Sequence, residues 1–154
     1  MAYKSASDDL VAFFDDLVRS ETRLYNAVDD ALRAEHGIAA SQFEMLRYLA
    51  AKPGARVIDI AENFVAGVGA ISKGVDRLVE RGLARRHPNP SDGRSSLVSL
   101  TDEGERLVGE AETVFRAQLD ALIPIPRAKW EAAAAVLSEL RASLEAARAG
   151  IPVG

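Results

Sequence analysis

The chain has 154 residues, 48% of them apolar and 27% charged, with a net charge of −4, no cysteine, and only His36 and His87 as imidazoles. That length buries a sizeable core as one domain, or as one domain with an oligomerisation extension, and the missing thiols exclude a disulfide scaffold, a thiolate metal cluster and a cysteine nucleophile. No apolar run approaches the roughly 20 residues of a membrane span, and the opening MAYKSASDDL lacks an apolar signal core, so a cytoplasmic protein is expected.

Between Asp8 and His36, apolar residues (Leu10, Phe13, Phe14, Leu17, Leu24, Tyr25, Val28, Ala31, Leu32) fall at helical spacing and predict one long helix ending at Gly37. Ser41-Gln42-Phe43-Glu44 has the form of a capping box and predicts a second helix, with Phe43, Leu46 and Leu49 inward and a stop at Pro53-Gly54. A short third helix fits Ile58 to Phe64, with Ile60, Ala61 and Phe64 inward. Ala66-Gly67 makes a turn, and a fourth helix follows from Val68 to Arg81, ended by Gly82. Its Gly69 and Gly74 are poor helix formers, so each points to close packing or to close approach by something else.

The period then changes. Leu83 to His87 and Arg94 to Leu100 read as two strands joined by the turn-rich Pro88-Asn89-Pro90-Ser91-Asp92-Gly93, a β-hairpin. Thr101, followed by Asp102 and Glu103, suits the start of a fifth helix with the stripe Leu107, Ala111, Val114, Phe115, Leu119 and Leu122. Pro124 and Pro126 break it. A last helix places Trp130, Leu137 and Leu144, and also Ala133, Leu140 and Ala147, at steps of seven, the pattern of a helix-pairing seam.

The expected fold is therefore mainly α with a small β-hairpin wing: a winged helix-turn-helix with terminal helices forming a dimerisation domain. The expected boundaries are 1–40 for an N-terminal dimerisation helix, 41–100 for the winged unit and 101–154 for C-terminal dimerisation helices. Charge agrees with this division. Residues 1–66 carry a net −4 and residues 99–154 a net −3, whereas residues 67–98 carry +3. A locally basic centre can meet an anionic partner despite an acidic total. The second helix of such a pair fits a major groove about 12 Å wide, and a wing reaches the neighbouring minor groove or phosphates.

The stretch Ile71-Ser72-Lys73-Gly74-Val75-Asp76-Arg77-Leu78-Val79-Glu80-Arg81-Gly82-Leu83-Ala84-Arg85-Arg86 resembles the recognition helix and first wing strand of the MarR (multiple antibiotic resistance regulator) family. Ser91-Asp92-Gly93-Arg94, then Leu100-Thr101-Asp102-Glu103-Gly104, is similar to that family's Asp-x-Arg and Leu-Thr-x-x-Gly wing signature. The resemblance implies a homodimeric transcription factor, usually a repressor, that releases double-stranded DNA on binding a small-molecule effector. It implies that Arg94 is the wing-tip arginine entering the minor groove. It implies that Asp92 stabilises the wing by a salt bridge to a nearby arginine, and that Lys73 and Arg77 lie on the recognition helix. Ser72 and Arg86 complete the DNA-facing set. Family members often carry Ser or Thr near the start of that helix, where this chain has Gly67, Val68, Gly69 and Ala70; there Gly69 and Ala70 serve by packing on a thymine methyl or by letting the backbone approach.

Each assignment has a plainer rival. Lys73 and Arg77 share a helix face with Asp76 and Glu80, which allows a surface ion-pair face of little energy. Arg94 alone reads as a solvated loop residue. Arg19 and Arg23, four apart on the first helix, are either ordinary surface charges or the holders of an anionic effector. Catalytic patterns are missing: the sequence has no Gly-rich phosphate loop, no HExxH and no GxSxG, and neither an enzyme nor a cofactor is expected. The competing function is a winged-helix protein-interaction module without specific DNA binding; a purely structural helical dimer leaves the wing unexplained.

Overall fold

The computed structural model describes residues 6–152; the opening stretch read for a leader lies partly outside the described residues. Its elements are α1 (Ala6–His36), α2 (Ala40–Ala51), β1 (Ala55–Arg56), α3 (Val57–Phe64), α4 (Val68–Glu80), β2 (Ala84–Pro88), β3 (Ser96–Leu100), α5 (Asp102–Leu122) and α6 (Arg127–Ala146). Among the described residues no helix is long and apolar enough to cross a membrane, and no cluster of acidic or histidine side chains is placed to hold a metal ion.

The apolar stripes read from the sequence converge on one core. Leu32, Ile38, Phe43, Leu46, Leu49, Ile60, Val75, Leu78 and Val98 are fully buried, and Val28 and Ala111 join them from α1 and α5. Each large side chain removed from water in this way contributes about 1.5–3 kcal/mol. The core runs without a break across positions 40 and 100, so α1 and α5 are packed onto the central unit as well as available to a partner.

Local starts and stops follow the backbone's need to satisfy its end groups. The expected capping box at Ser41 and Glu44 does not form. α2 begins earlier, after Ala39, and two other side chains supply the acceptors. Gln42 Oε1 accepts from the Ala39 N–H (3.0 Å), and Asp29 Oδ1, reaching across from α1, accepts from the Ala40 N–H (2.7 Å). Ser41 then sits in the first turn, beside Tyr25. At the other end of the winged unit α4 stops in a Schellman motif. Gly82 takes φ 71°, its N–H donates to the Val79 carbonyl (2.9 Å), and the Leu83 N–H donates to the Leu78 carbonyl (2.9 Å). The same device ends α3, but with Val65 at φ 50° where glycine is usual; for a β-branched residue that conformation costs about 1–2 kcal/mol.

The sheet has three antiparallel strands in the order β1-β3-β2, one more than expected. β1 pairs Ala55 with Val98 and Arg56 with Leu97, and β2 pairs with β3 from Ala84–Leu100 to Pro88–Ser96. Thr101 caps α5 as expected: its Oγ1 accepts from the Gly104 N–H (3.1 Å) and donates to the Gly82 carbonyl (2.6 Å). α6 follows the Pro124–Pro126 break and has no buried residue; Trp130 is 43% exposed, Leu137 41% and Leu144 47%.

Candidate nucleic-acid interface

α3, the turn at Val65–Gly67 and α4 form a helix-turn-helix. Ile60 and Ala61 of α3 and Ile71, Val75 and Leu78 of α4 face the core. Burying 71, 75 and 78 turns the opposite side of α4 outward, and Gly69, Ala70, Lys73, Asp76, Arg77 and Glu80 are all exposed there. The two glycines part company. A side chain at Gly69 would meet nothing within 4 Å, whereas a Cβ at Gly74 would lie 2.8 Å from Met45 Cε. Gly74 is thus a packing glycine, and Gly69 leaves open backbone on the exposed face.

The basic side chains on this face are not tied up in ion pairs. Among the described residues no salt bridge involves Lys73, Arg77, Arg85 or Arg94. Asp76, the acid expected to neutralise Lys73 and Arg77, instead pairs with Arg86, whose Nη2 lies 2.8 Å from Asp76 Oδ1. The surface ion-pair face therefore does not form.

Beyond β2 and β3 the wing tip is knit locally. Asn89 Nδ2 donates to Ser95 Oγ (2.8 Å), and the Ser91 N–H donates to Asn89 Oδ1 (3.0 Å). The expected salt bridge of Asp92 to an arginine is absent among the described residues. Asp92 Oδ1 accepts from the Arg94 backbone N–H (3.0 Å), closing an Asx turn that leaves the exposed Arg94 side chain at the tip. Asp92 orders the wing tip by accepting a backbone N–H.

Arg86 is turned inward. Alternation along β2 puts it on the sheet face of Ala84, Val98 and Leu100, toward α4. Its Nη2 donates to the Ser72 carbonyl (3.3 Å), Ser72 Oγ (3.3 Å) and Asp76, and its Nη1 donates to Ser96 Oγ (3.0 Å). Ser72 is thereby engaged as an acceptor. Sequence spacing had no means of pairing residues 72, 76, 86 and 96.

Two further arginines join the helix-turn-helix to the long helices. Arg81 Nη1 donates to the Gly37 carbonyl (3.2 Å) and to Gln42 Oε1 (3.3 Å), linking the end of α4 to the α1–α2 corner. Arg47 of α2 pairs with Glu112 of α5 (3.0 Å) and lies over the rings of Phe115 (4.9 Å) and Phe43 (5.6 Å). Glu44 beside it is half-buried, and loss of hydration holds its carboxyl above the ordinary value.

The candidate effector arginines do not converge. Arg19 Nη1 pairs with Asp15 of its own helix (3.1 Å), and Arg23 is exposed. Two open depressions are lined by Tyr48, Lys52, Pro53, Asp59, Glu62 and Asn63, and by Glu44, Arg47, Tyr48, Asn63 and Phe64; Arg19 and Arg23 line neither.

A helix-turn-helix whose second helix is exposed, followed at once by a hairpin rooted in a three-stranded sheet, defines the winged-helix class of protein. Residues 36–95, which run from the end of α1 through the helix-turn-helix to the wing tip, match the sequence model of the MarR family. Transcriptional regulator HosA of Escherichia coli O111:H- is 34% identical over 70 residues, 46% of this chain and 52% of HosA, so the match spans about half the length of that relative. HTH-type transcriptional regulator MhqR of Bacillus subtilis (strain 168) is 24% identical over 107 residues, 68% of this chain and 74% of MhqR. A crystal structure of a MarR family transcriptional regulator from Streptomyces coelicolor in complex with DNA superposes with a TM-score of 0.84 at 21% identity, covering 99% of this chain and 96% of that one. Mutant MarR from E. coli complexed with operator DNA gives 0.79 at 19% identity, covering 88% and 98%. These likenesses confirm the expected fold class over nearly the whole chain.

Proposed function

We propose that the chain is a DNA-binding transcriptional regulator, not an enzyme, that works in the cytoplasm as a homodimer on a pseudo-palindromic duplex site. In this reading it is a repressor released by a small-molecule effector; ligand responsiveness is typical of the family. The observation that carries the proposal is the unpaired basic face: Lys73 and Arg77 on exposed α4 and Arg94 on the wing tip, with Asp76 occupied by Arg86 and Asp92 by a backbone N–H. Unpaired cations on a helix sized for a major groove attract phosphates and release their counterions. Gly69 and Ala70 let α4 approach the bases closely, and Arg94 suits a narrow A·T-rich minor groove. Arg23 is the better placed of the two effector candidates, since Arg19 is engaged by Asp15.

The homodimer rests on α1 and α6. Leu10, Phe14, Trp130, Val136, Leu137 and Leu144 are exposed within one chain, and large exposed apolar faces mark interfaces. Two reading heads then have to sit about 34 Å apart to enter successive major grooves.

Selection of bound duplexes from random DNA, followed by titration at three salt concentrations, tests the proposal. Arg94→Ala should lower affinity and flatten the preference for A·T flanks. Lys73→Ala should lower the salt slope by about one unit per subunit if the ammonium neutralises a phosphate, or cost about 1–3 kcal/mol at one base position if it meets guanine. Glu80→Ala, which removes an acid from the same helix, should not weaken binding. Parent-like binding by folded Arg94→Ala and Lys73→Ala alike would assign the helix and wing elsewhere; docking of the wing onto a protein instead would show no salt-dependent duplex binding at all.

A further inference from the structure

We propose that Arg86 is a positioning residue: its guanidinium ties the wing to α4 and cancels the Asp76 charge on the DNA-facing surface, without itself touching DNA. The proposal rests on the DNA-binding reading above. Four hydrogen bonds carry it and join three elements: from Arg86 on β2 they reach Ser72 and Asp76, one turn apart on α4, and Ser96 on β3. A planar fork with five fixed donors suits three partners of fixed geometry, and a lysine ammonium does not.

The tie has two consequences. First, α4 and the wing are the two parts of the chain that reach DNA, and Arg86 sets one against the other. The base of the wing, from which Arg94 projects, is then held at a fixed distance and angle from Lys73. Second, Asp76 stands between Lys73 and Arg77 on the exposed face and is itself 57% exposed, whereas Arg86 is 29% exposed. An unpaired carboxylate at that place repels phosphate. Arg86 neutralises it from behind, so the face that meets DNA stays cationic.

A double-mutant cycle on the full chain separates positioning from direct DNA binding. Four proteins are titrated on the selected duplex: parent, Arg86→Ala, Asp76→Asn and both together. Arg86→Ala should weaken binding about tenfold, a coupling of ordinary size for groups in one network, and should flatten the A·T-flank preference as Arg94→Ala does. Adding Asp76→Asn should restore at least a few-fold of that affinity, because the bare carboxylate is gone. A residue that touched phosphate would lose the same factor with or without Asp76, and its removal would lower the salt slope by about one unit per subunit; that result overturns the proposal. Arg86→Lys, which keeps the charge, serves should Arg86→Ala misfold: it should lose the flank preference with the salt slope unchanged, and an unaltered flank preference overturns the proposal. Hydrogen exchange without DNA reads the tie by itself. Arg86→Ala should speed exchange in Ser96–Val98 and around Ser72–Asp76 together; unchanged exchange at both removes the clamp. Should the parent bind no selected duplex, the DNA reading fails and the positioning role falls with it, a result recognisable because the parent is silent while the exchange difference persists.

Discussion

Gly104 offers a test of the fold in which two effects of opposite sign compete. It lies in the first turn of α5, where alanine is favoured over glycine by about 1 kcal/mol on helix propensity alone. Here, however, a Cβ would sit 2.0 Å from the Leu83 carbonyl oxygen and 3.0 Å from its carbon, both backbone atoms at the root of the wing. Relief requires α5 and the Leu83 backbone to part by about 1.4 Å, since ordinary van der Waals separation begins near 3.4 Å. Three hydrogen bonds cross or brace the gap: Thr101 N–H to Leu83 O (3.1 Å), Thr101 Oγ1 to Gly82 O (2.6 Å) and Gly104 N–H to Thr101 Oγ1 (3.1 Å). Weakening them costs about 0.5–1.5 kcal/mol each. The net expectation for Gly104→Ala is a loss of about 2 kcal/mol. Gly109 is the internal control. It sits on the same helix with nothing within 4 Å of its would-be Cβ, so Gly109→Ala should gain up to about 1 kcal/mol. Urea unfolding at one fixed protein concentration, monitored by far-UV circular dichroism, measures both. Equal stability of the two variants would refute the close approach and with it the account of the glycine in Leu-Thr-x-x-Gly.

Two further outcomes are expected. Asp29 accepts from the Ala40 N–H and pairs with Arg33 (2.5 Å), and the Arg33 guanidinium, then the amide, hold its carboxyl below its ordinary value of 3.8. Its folded value is therefore the lower one. Its contribution is complete above the unfolded value and disappears as pH falls through the folded one; Asp29→Ala should cost about 1 kcal/mol at pH 7, and the difference from the parent should vanish below the folded value in urea melts run from pH 7 downward. Leu137→Glu on the exposed face of α6 should raise the dimer dissociation constant at least about tenfold. Light scattering that finds the parent a stable monomer of 16.5 kDa at micromolar concentration would contradict the dimer itself.

Periodicity made the helices legible. The stripes of Phe43-Leu46-Leu49 and Ile71-Val75-Leu78 face one core because helical spacing leaves them no other side, and Thr101 caps α5 because an acceptor was needed there. What escaped the sequence lies in pairings between distant positions. The cap of α2 comes partly from Asp29, eleven residues upstream, so a local Ser-x-x-Glu pattern pointed to the wrong start. β1 is two residues long and exists only because β3 lies beside it. The wing signature was readable, but its acid meets an amide two residues on. The arginine that does find an acid is Arg86, paired with a residue ten positions back on another element. Family resemblance gave the class of surface; only packing shows which of its charges are free.

The wing is a cantilever. Its middle strand is held on both sides at Leu97 and Val98, by β1 and by β2, and these pairings stop at Ser96. Outward from there, among the described residues, the side chains of Asn89, Asp92 and Ser95 hydrogen-bond only to one another and to the backbone of the tip. Bending stiffness therefore drops abruptly at one cross-section. Below it, displacement of the hairpin has to move the core; above it, the tip tilts as a small intact body without breaking a bond. In the proposed DNA-binding role, such a lever delivers its charged end to a groove of variable width while its fulcrum stays fixed, and tolerance for operator shape is concentrated in about seven residues, 89 to 95.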